Sequence, residues 1–228
     1  MASFKKNDSL ADFQKFNHRV YGAVDDRLYS TWDLLTQEQR FAMRALKGIR
    51  KADKDKIKKN LLVSFSFLMA LANRFHIDVE AAVWRRFPFV CSYCGKRPCA
   101  CKKNKSAGRK KITVQKTLQP KTLAGFQRMF EAIYPSKRRT LEHAGVHLAE
   151  EIGEVTEAAH NFMGQHKHSQ FVAIENEVAD YVSCVFGVAN SAKIDFAAEL
   201  AKLFRNNCHV CHEAPCRCSF AFVAKFKS

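Results

Sequence analysis

Five carboxylates fall in two short runs, Glu150-Glu151-x-x-Glu154 and Glu177-x-x-Asp180. Both sit in Pro-free sequence with apolar periodicity, HLAEEIGEVTEAA and IENEVADYVSCVFGVA. Residues three or four apart share one face of a helix. Glu151 and Glu154 therefore project together with Glu150 beside them, and Glu177 and Asp180 do the same from the next helix. Like charges this close repel, and a half-buried surface tolerates them poorly without a cation. Clustered hard oxygens suit Mg²⁺ or Mn²⁺, ions that commonly work on phosphates. One such run alone is also what a solvated helix face looks like. Two runs on successive helices carry more, because Val155, Ile174, Val178, Tyr181 and Val182 flank the acids and make each stripe border a core.

Eight of the nine cysteines form two clusters of identical spacing, Cys91-x-x-Cys94-x-x-x-x-Cys99-x-Cys101 and Cys208-x-x-Cys211-x-x-x-x-Cys216-x-Cys218. Four thiolates within so short a stretch can wrap one tetrahedral cation, for which Zn²⁺ is the usual choice. Spacing alone does not identify the metal, so iron–sulfur ligation, redox pairing and reduced, unligated thiols stay open. Some zinc knuckles bind single strands, but both clusters end a helical unit, which makes a structural cap the simpler role. Cys184 is left over in an apolar helix and reads as core. His143 and His147 precede the acidic run on the same helix and read as pairing or surface residues. His160, His166 and His168 fall near the following turn.

The pattern Glu-Glu-x-x-Glu, a gap of about two dozen residues, then Glu-x-x-Asp, resembles that of the MazG-like, all-α nucleoside triphosphate pyrophosphohydrolases, a superfamily that includes the dimeric dUTPases. The segment ANSAKIDFAAELAKLFRN is similar to a later helix of that family, with Lys202 and Asn206 at the positions of a substrate-contacting lysine and asparagine. The resemblance covers roughly residues 123–206. It implies Mg²⁺ (or Mn²⁺) on Glu151, Glu154, Glu177 and Asp180, with Glu150 as a further ligand or as the group orienting water. It also implies cleavage of an NTP or dNTP to the monophosphate and pyrophosphate. The family's basic, tyrosine-containing segment after the asparagine is absent, and the second cysteine cluster stands there instead.

The chain also repeats itself. LADFQKFNHRVY at 10–21 matches LAGFQRMFEAIY at 123–134, an offset of 113. Further on the offset becomes 117: Asn73 matches Asn190, Ile77-Asp78 matches Ile194-Asp195, Phe87 matches Phe204, and the cysteine clusters follow, Pro98 and Pro215 included. The first copy has lost the acids. Asn60 and Val63 stand for Glu177 and Asp180, Glu38 is the only glutamate near the place of the other pair, Arg85 replaces Lys202, and Phe89 replaces Asn206. The expected organisation is a degenerate MazG-like repeat with its cysteine cluster at 1–101, a basic linker at 102–121, and a repeat with the acidic site and second cluster at 122–228. Because family members act as dimers or higher oligomers, the expected fold is all-α, with tandem four-helix units packed as an intrachain pseudo-dimer, each ending in a four-cysteine zinc loop. Further homo-oligomerisation stays open.

The elements that must position these residues can be placed coarsely. Apolar periodicity puts helices near 10–20, 32–47, 55–75 and 78–87, then near 121–134, 137–163, 169–191 and 195–206. Asp78 is a candidate N-cap. Pro135 marks a break, and Gly164 through His168 reads as the polar turn between two antiparallel acidic helices. The tail SFAFVAKF reads as a short extended segment or end-helix.

Charge is divided unevenly. Residues 1–121 hold 27 Lys+Arg against 10 Asp+Glu, and residues 122–228 hold 11 against 12. The excess lies in KGIRKADKDKIKK and KKNKSAGRKKITVQK. It suits a solvated helix face and linker, attraction of polyphosphate substrates, or contact with a nucleic-acid backbone. The alternative function is thus a zinc-containing, basic protein that binds nucleic acid or nucleotide on a worn MazG-like fold. No stretch reads as a signal peptide or a membrane span; LLVSFSFLMALA is too short and fits a buried helix. The expected location is the cytoplasm.

Overall fold

Short polar side chains set the helix starts. In the computed structural model, which describes residues 3–101, 110 and 112–219, the α-helices are α1 (Leu10–Leu28), α2 (Thr31–Arg50), α3 (Lys54–Arg74), α4 (Val79–Arg86), α5 (Leu123–Ile133), α6 (Leu141–Gln165), α7 (His168–Ser191) and α8 (Phe196–Leu203). Ser9, Ser30, Asp53, Asp78, Thr122, Thr140 and Asp195 each accept a backbone N–H of the first turn. Those bonds satisfy donors that a helix start otherwise leaves free. The protein is all-α, with no strand among the described residues. Most of the basic stretch 102–116 and all but the first residue of the expected extended tail lie outside the described residues.

Three boundaries differ most from the sequence expectation, the first being the end of α1, which runs on to Leu28 rather than stopping near 20. The first acidic helix begins at Leu141, not near 137, because Thr140 caps it and residues 136–138 form a separate 3-10 turn. That helix then runs through Gly164 and Gln165, so the polar turn shrinks to His166 and Lys167, with His166 in the left-handed region at φ 52°.

The α2–α3 and α6–α7 hairpins form the centre, with α2 against α6 and α3 against α7. The first helix of each half lies on its own third helix, α1 on α3 and α5 on α7. The short fourth helices cross over: α4 packs on α7 and α8 contacts α3. Buried aromatics make one continuous core. Phe65 faces Phe13, Phe186 and Phe196 at 5.5, 6.2 and 5.1 Å. Phe87 inserts against Phe130 and Tyr134 of the other half, and Phe204 inserts against Phe16 and Tyr21.

Individual hydrogen bonds recur at the offsets found in the sequence. Gln14 Nε2 donates to Asn73 Oδ1 and the Ile77 carbonyl, while its Oε1 accepts from Val79 N–H. Gln127 does the same with Asn190, Ile194 and Phe196. Residues 117 apart also meet each other: Ser64 Oγ lies 2.5 Å from Tyr181 Oη, and Gln39 Nε2 donates to Thr156 Oγ1 at 2.7 Å.

Because rings from both halves converge on Phe65, its truncation should weaken both together. Phe65→Ala should cost about 3–5 kcal/mol while calorimetry still records one transition. Two separated transitions would show that the halves unfold independently.

Candidate metal centres

Helices α6 and α7 run antiparallel, and their facing turns bring Glu151, Glu177 and Asp180 together. One carboxylate oxygen from each lies within 4.8 Å of the others. Glu151 Oε2 and Glu177 Oε2 are buried and have no hydrogen-bond partner. Glu154 stands beside Glu177 at the exposed edge. Glu150 is exposed, and its Oε2 lies 2.9 Å from His147 Nδ1. Burial first, then the neighbouring carboxylates Asp180, Glu154 and Glu177, pushes the Glu151 carboxyl up to about 8; Arg86 pulls the other way. Burial, Asp180 and Glu154 likewise raise Glu177 to about 7. A buried anionic oxygen without a donor is costly. Three hard oxygens so placed, two of them with an unpartnered atom, fit a small divalent cation.

The first half supplies a counter-charge. Arg86, in the last turn of α4, donates from Nε to Asp180 Oδ1 at 3.0 Å and from Nη2 to Asp180 Oδ2. Both side chains are only 12 % exposed. Arg85 pairs with Glu175 of α7 at 2.9 Å. Arg86 was not singled out by the sequence. The available signal was the match of α4 to α8, the helix that carries Lys202. Lys202 and Asn206 are exposed, and α8 lies against α3 and α5; the helix facing the carboxylates is α4.

The corresponding place in the first half holds no acidic cluster. Asn60 and Val63 are buried, and Asn60 Nδ2 bonds back to the Lys56 carbonyl at 2.7 Å. Glu38 is fully buried between the halves and is pushed up to about 8 by desolvation, which outweighs hydrogen bonds from Tyr181 and Ser64. Burial thus disfavours its charged form.

Both cysteine clusters have the shape of a tetrahedral site. In each, the four Sγ atoms lie within 4.8 Å of one another. Bonds of about 2.3 Å to a central zinc place tetrahedral sulfur atoms about 3.8 Å apart. The recorded separations are 3.7 and 3.9 Å for Cys91–Cys101 and Cys94–Cys99, and 3.9, 3.8 and 3.5 Å for Cys208–Cys218, Cys211–Cys216 and Cys216–Cys208. All nine cysteines are free of disulfides. Backbone N–H groups of Tyr93, Ala100 and Cys101 point at sulfurs of the first cluster, and those of Val210, Arg217 and Cys218 at the second. Such donors favour thiolates. The hydrogen bond from Cys216, ahead of the opposing burial, draws Cys208 down, while Cys216 as the donor is pushed up. Both clusters can therefore hold zinc.

The loops do more than end their own units. Cys99 N–H donates to the Ile133 carbonyl at 2.8 Å, and Cys216 N–H donates to the Val20 carbonyl at 2.7 Å. Each loop is pinned to the first helix of the other half. No protein-family model, curated protein or solved structure matches this chain. Among the described residues no single helix is long and apolar enough to cross a membrane; α3 and α4 meet the length and composition only as a pair bent by 100°.

The raised carboxylates give a sign for pH dependence. Between their ordinary value of 4.5 and about 8, the folded protein retains protons that the unfolded chain has released. Stability without added divalent cation should therefore fall as pH rises through this window. Glu151→Gln should flatten that fall and raise the pH 8 melting temperature by roughly 2–4 °C. A wild-type melting temperature that climbs from pH 5 to 8, with no relief in the variant, would contradict this account.

Proposed function

We propose that the chain is a metal-dependent nucleotide pyrophosphohydrolase that converts an NTP or dNTP to the monophosphate and pyrophosphate. In this reading two tandem MazG-like units pack as an intrachain pseudo-dimer, and only the second keeps the acidic site. The observation that carries the reading is the pair of buried, unpartnered oxygens on Glu151 and Glu177, set beside Asp180 on an α6–α7 hairpin. Contact between residues 117 apart supports the pseudo-two-fold packing, because equivalent positions touch each other only near such an axis.

Glu151, Glu177 and Asp180, with Glu154 at the open edge, would hold Mg²⁺ or Mn²⁺. The bound ion would offset phosphate charge and lower the pKa of an attacking water. Glu150, oriented by His147, would steer that water or add a ligand. Arg86 offsets part of the carboxylate charge through Asp180 and would meet a phosphoryl oxygen, with Arg85 one residue away. In this scheme the first half contributes the cations that the resemblance assigns to the Lys202 and Asn206 helix. The cysteine clusters would each hold a structural Zn²⁺ that clamps one half to the other.

A second reading, nucleotide or nucleic-acid binding without turnover, draws on the surplus of 17 positive charges in residues 1–121 and on the guanidinium already seated on Asp180. Pyrophosphate release from a panel of nucleotides, with Mg²⁺ and with EDTA, separates the two. The hydrolase reading expects metal-dependent release from at least one. Glu151→Gln or Asp180→Asn should cut the rate by roughly two or more orders of magnitude, since an amide is a far poorer ligand for a hard cation. Arg86→Ala should lower it by at least about tenfold, in the range seen when one charge-stabilising donor is removed. Tight binding with no turnover would favour the second reading.

Elemental analysis of protein purified without added metal should find two zinc ions per chain, and Cys99→Ser should lower that number to one. A zinc-free chain with native helicity would remove zinc from the proposal.

A further inference from the structure

Arg86 sits on Asp180 in a way that helix docking does not require. The fourth helix of each half contacts the third helix of the other, α4 on α7 and α8 on α3. On α8 and α3 the positions equivalent to Arg86 and Asp180 hold Leu203 and Val63. The same docking thus forms with an apolar pair, and an ion pair taken out of water returns little stability for its desolvation. The charged version stands only where the acidic cluster stands.

The pair is also fully engaged. Arg86 donates from Nε and Nη2 to the two oxygens of Asp180. Burial works against the guanidinium's charge, and Asp180, then Glu177 and Glu151, more than offset it. Arg86 therefore feels all three carboxylates of the cluster. The oxygens left over are those of Glu151 and Glu177, one buried and unpartnered on each, with Glu154 beside Glu177 at the edge.

Counting charge leads to the same place. Enzymes that act on phosphates often hold two metal ions about 3.5–4 Å apart over such carboxylates. Glu151, Glu154, Glu177 and Asp180 carry at most four negative charges. One divalent ion together with Arg86 offsets three of them. A second ion would set five positive charges against four negative ones.

We propose that Arg86 is a built-in second cation: its guanidinium shares Asp180 with a single divalent ion, which Glu151 and Glu177 complete, so that the site is a one-metal centre. The inference rests on the cation-binding part of the hydrolase reading and deepens it. A nucleotide phosphate would meet one ion and one guanidinium where a two-metal site presents two ions, and the guanidinium comes from the half that has lost its own acids.

The test counts Mn²⁺ bound to the full-length chain by electron paramagnetic resonance, a readout that needs no turnover. Wild type should bind one Mn²⁺, with the signal of an isolated ion, and Glu151→Gln should remove it. Arg86→Ala should bind two, their signals broadened by coupling between neighbouring spins. Arg86→Lys, which keeps the charge, should stay at one. Two ions in wild type, or fewer than two in Arg86→Ala, would overturn the inference and leave the cation site of the hydrolase reading in place. No Mn²⁺ on wild type would overturn both. The expected counts without turnover of any nucleotide would overturn the hydrolase reading alone. If Arg86→Ala does not fold, Arg86→Gln, neutral and nearly as long, replaces it with the same expectation.

Discussion

Each half of this protein is finished by the end of the other, and the rest of the structure depends on that exchange. Phe87 leaves α4 and fills the space beside Phe130 and Tyr134 of α5, while Phe204 does the same against Phe16 and Tyr21 of α1. The cysteine loops that follow then lock on through single backbone hydrogen bonds to Ile133 and Val20. A half taken alone would expose the apolar flank of its first helix and lose one wall. Burial of these rings supplies the driving force, and the directional bonds set the register.

The exchange also decides where charge can sit. Three carboxylates on α6 and α7 would be hard to keep half-buried by themselves. Packing of α4 on α7 delivers the Arg86 guanidinium to Asp180, so the second half's acidic site is completed by the first half's last helix. The carboxyls of Glu151 and Glu177 nevertheless remain raised. One guanidinium does not balance three acids, and the remaining demand for positive charge is what makes the site suit a cation.

Loss of acids in the first half has a structural return. With Asn60 and Val63 in place of Glu177 and Asp180, and Ser64 facing Tyr181, α3 is buried over most of its length. Glu38, the remaining carboxyl there, is buried between the halves, where desolvation disfavours its charged form. The two copies have thus divided the work: one keeps the acidic cluster on its hairpin, while the other gives its third helix to the shared core.

Much of this was legible in the residues themselves. Helical periodicity, the N-capping Asp78 and the Pro135 break are local signals that local geometry carries into the fold, while of the five acids in the spaced runs only Glu151, Glu177 and Asp180 converge. The repeat offsets, 113 for the first helix and 117 beyond, foretold which hydrogen bonds would recur, because the same side chains stand at the same turns. The identical cysteine spacings likewise foretold two sites of one shape. Tertiary structure alone decided which half each part would serve. Nothing in the order of residues says that α4 leaves its own hairpin for α7, that each cysteine loop docks on the opposite first helix, or that Arg86 rather than Lys202 faces the carboxylates. Those outcomes follow from how two similar apolar surfaces bury each other, which is a property of the packed pair and of no single segment.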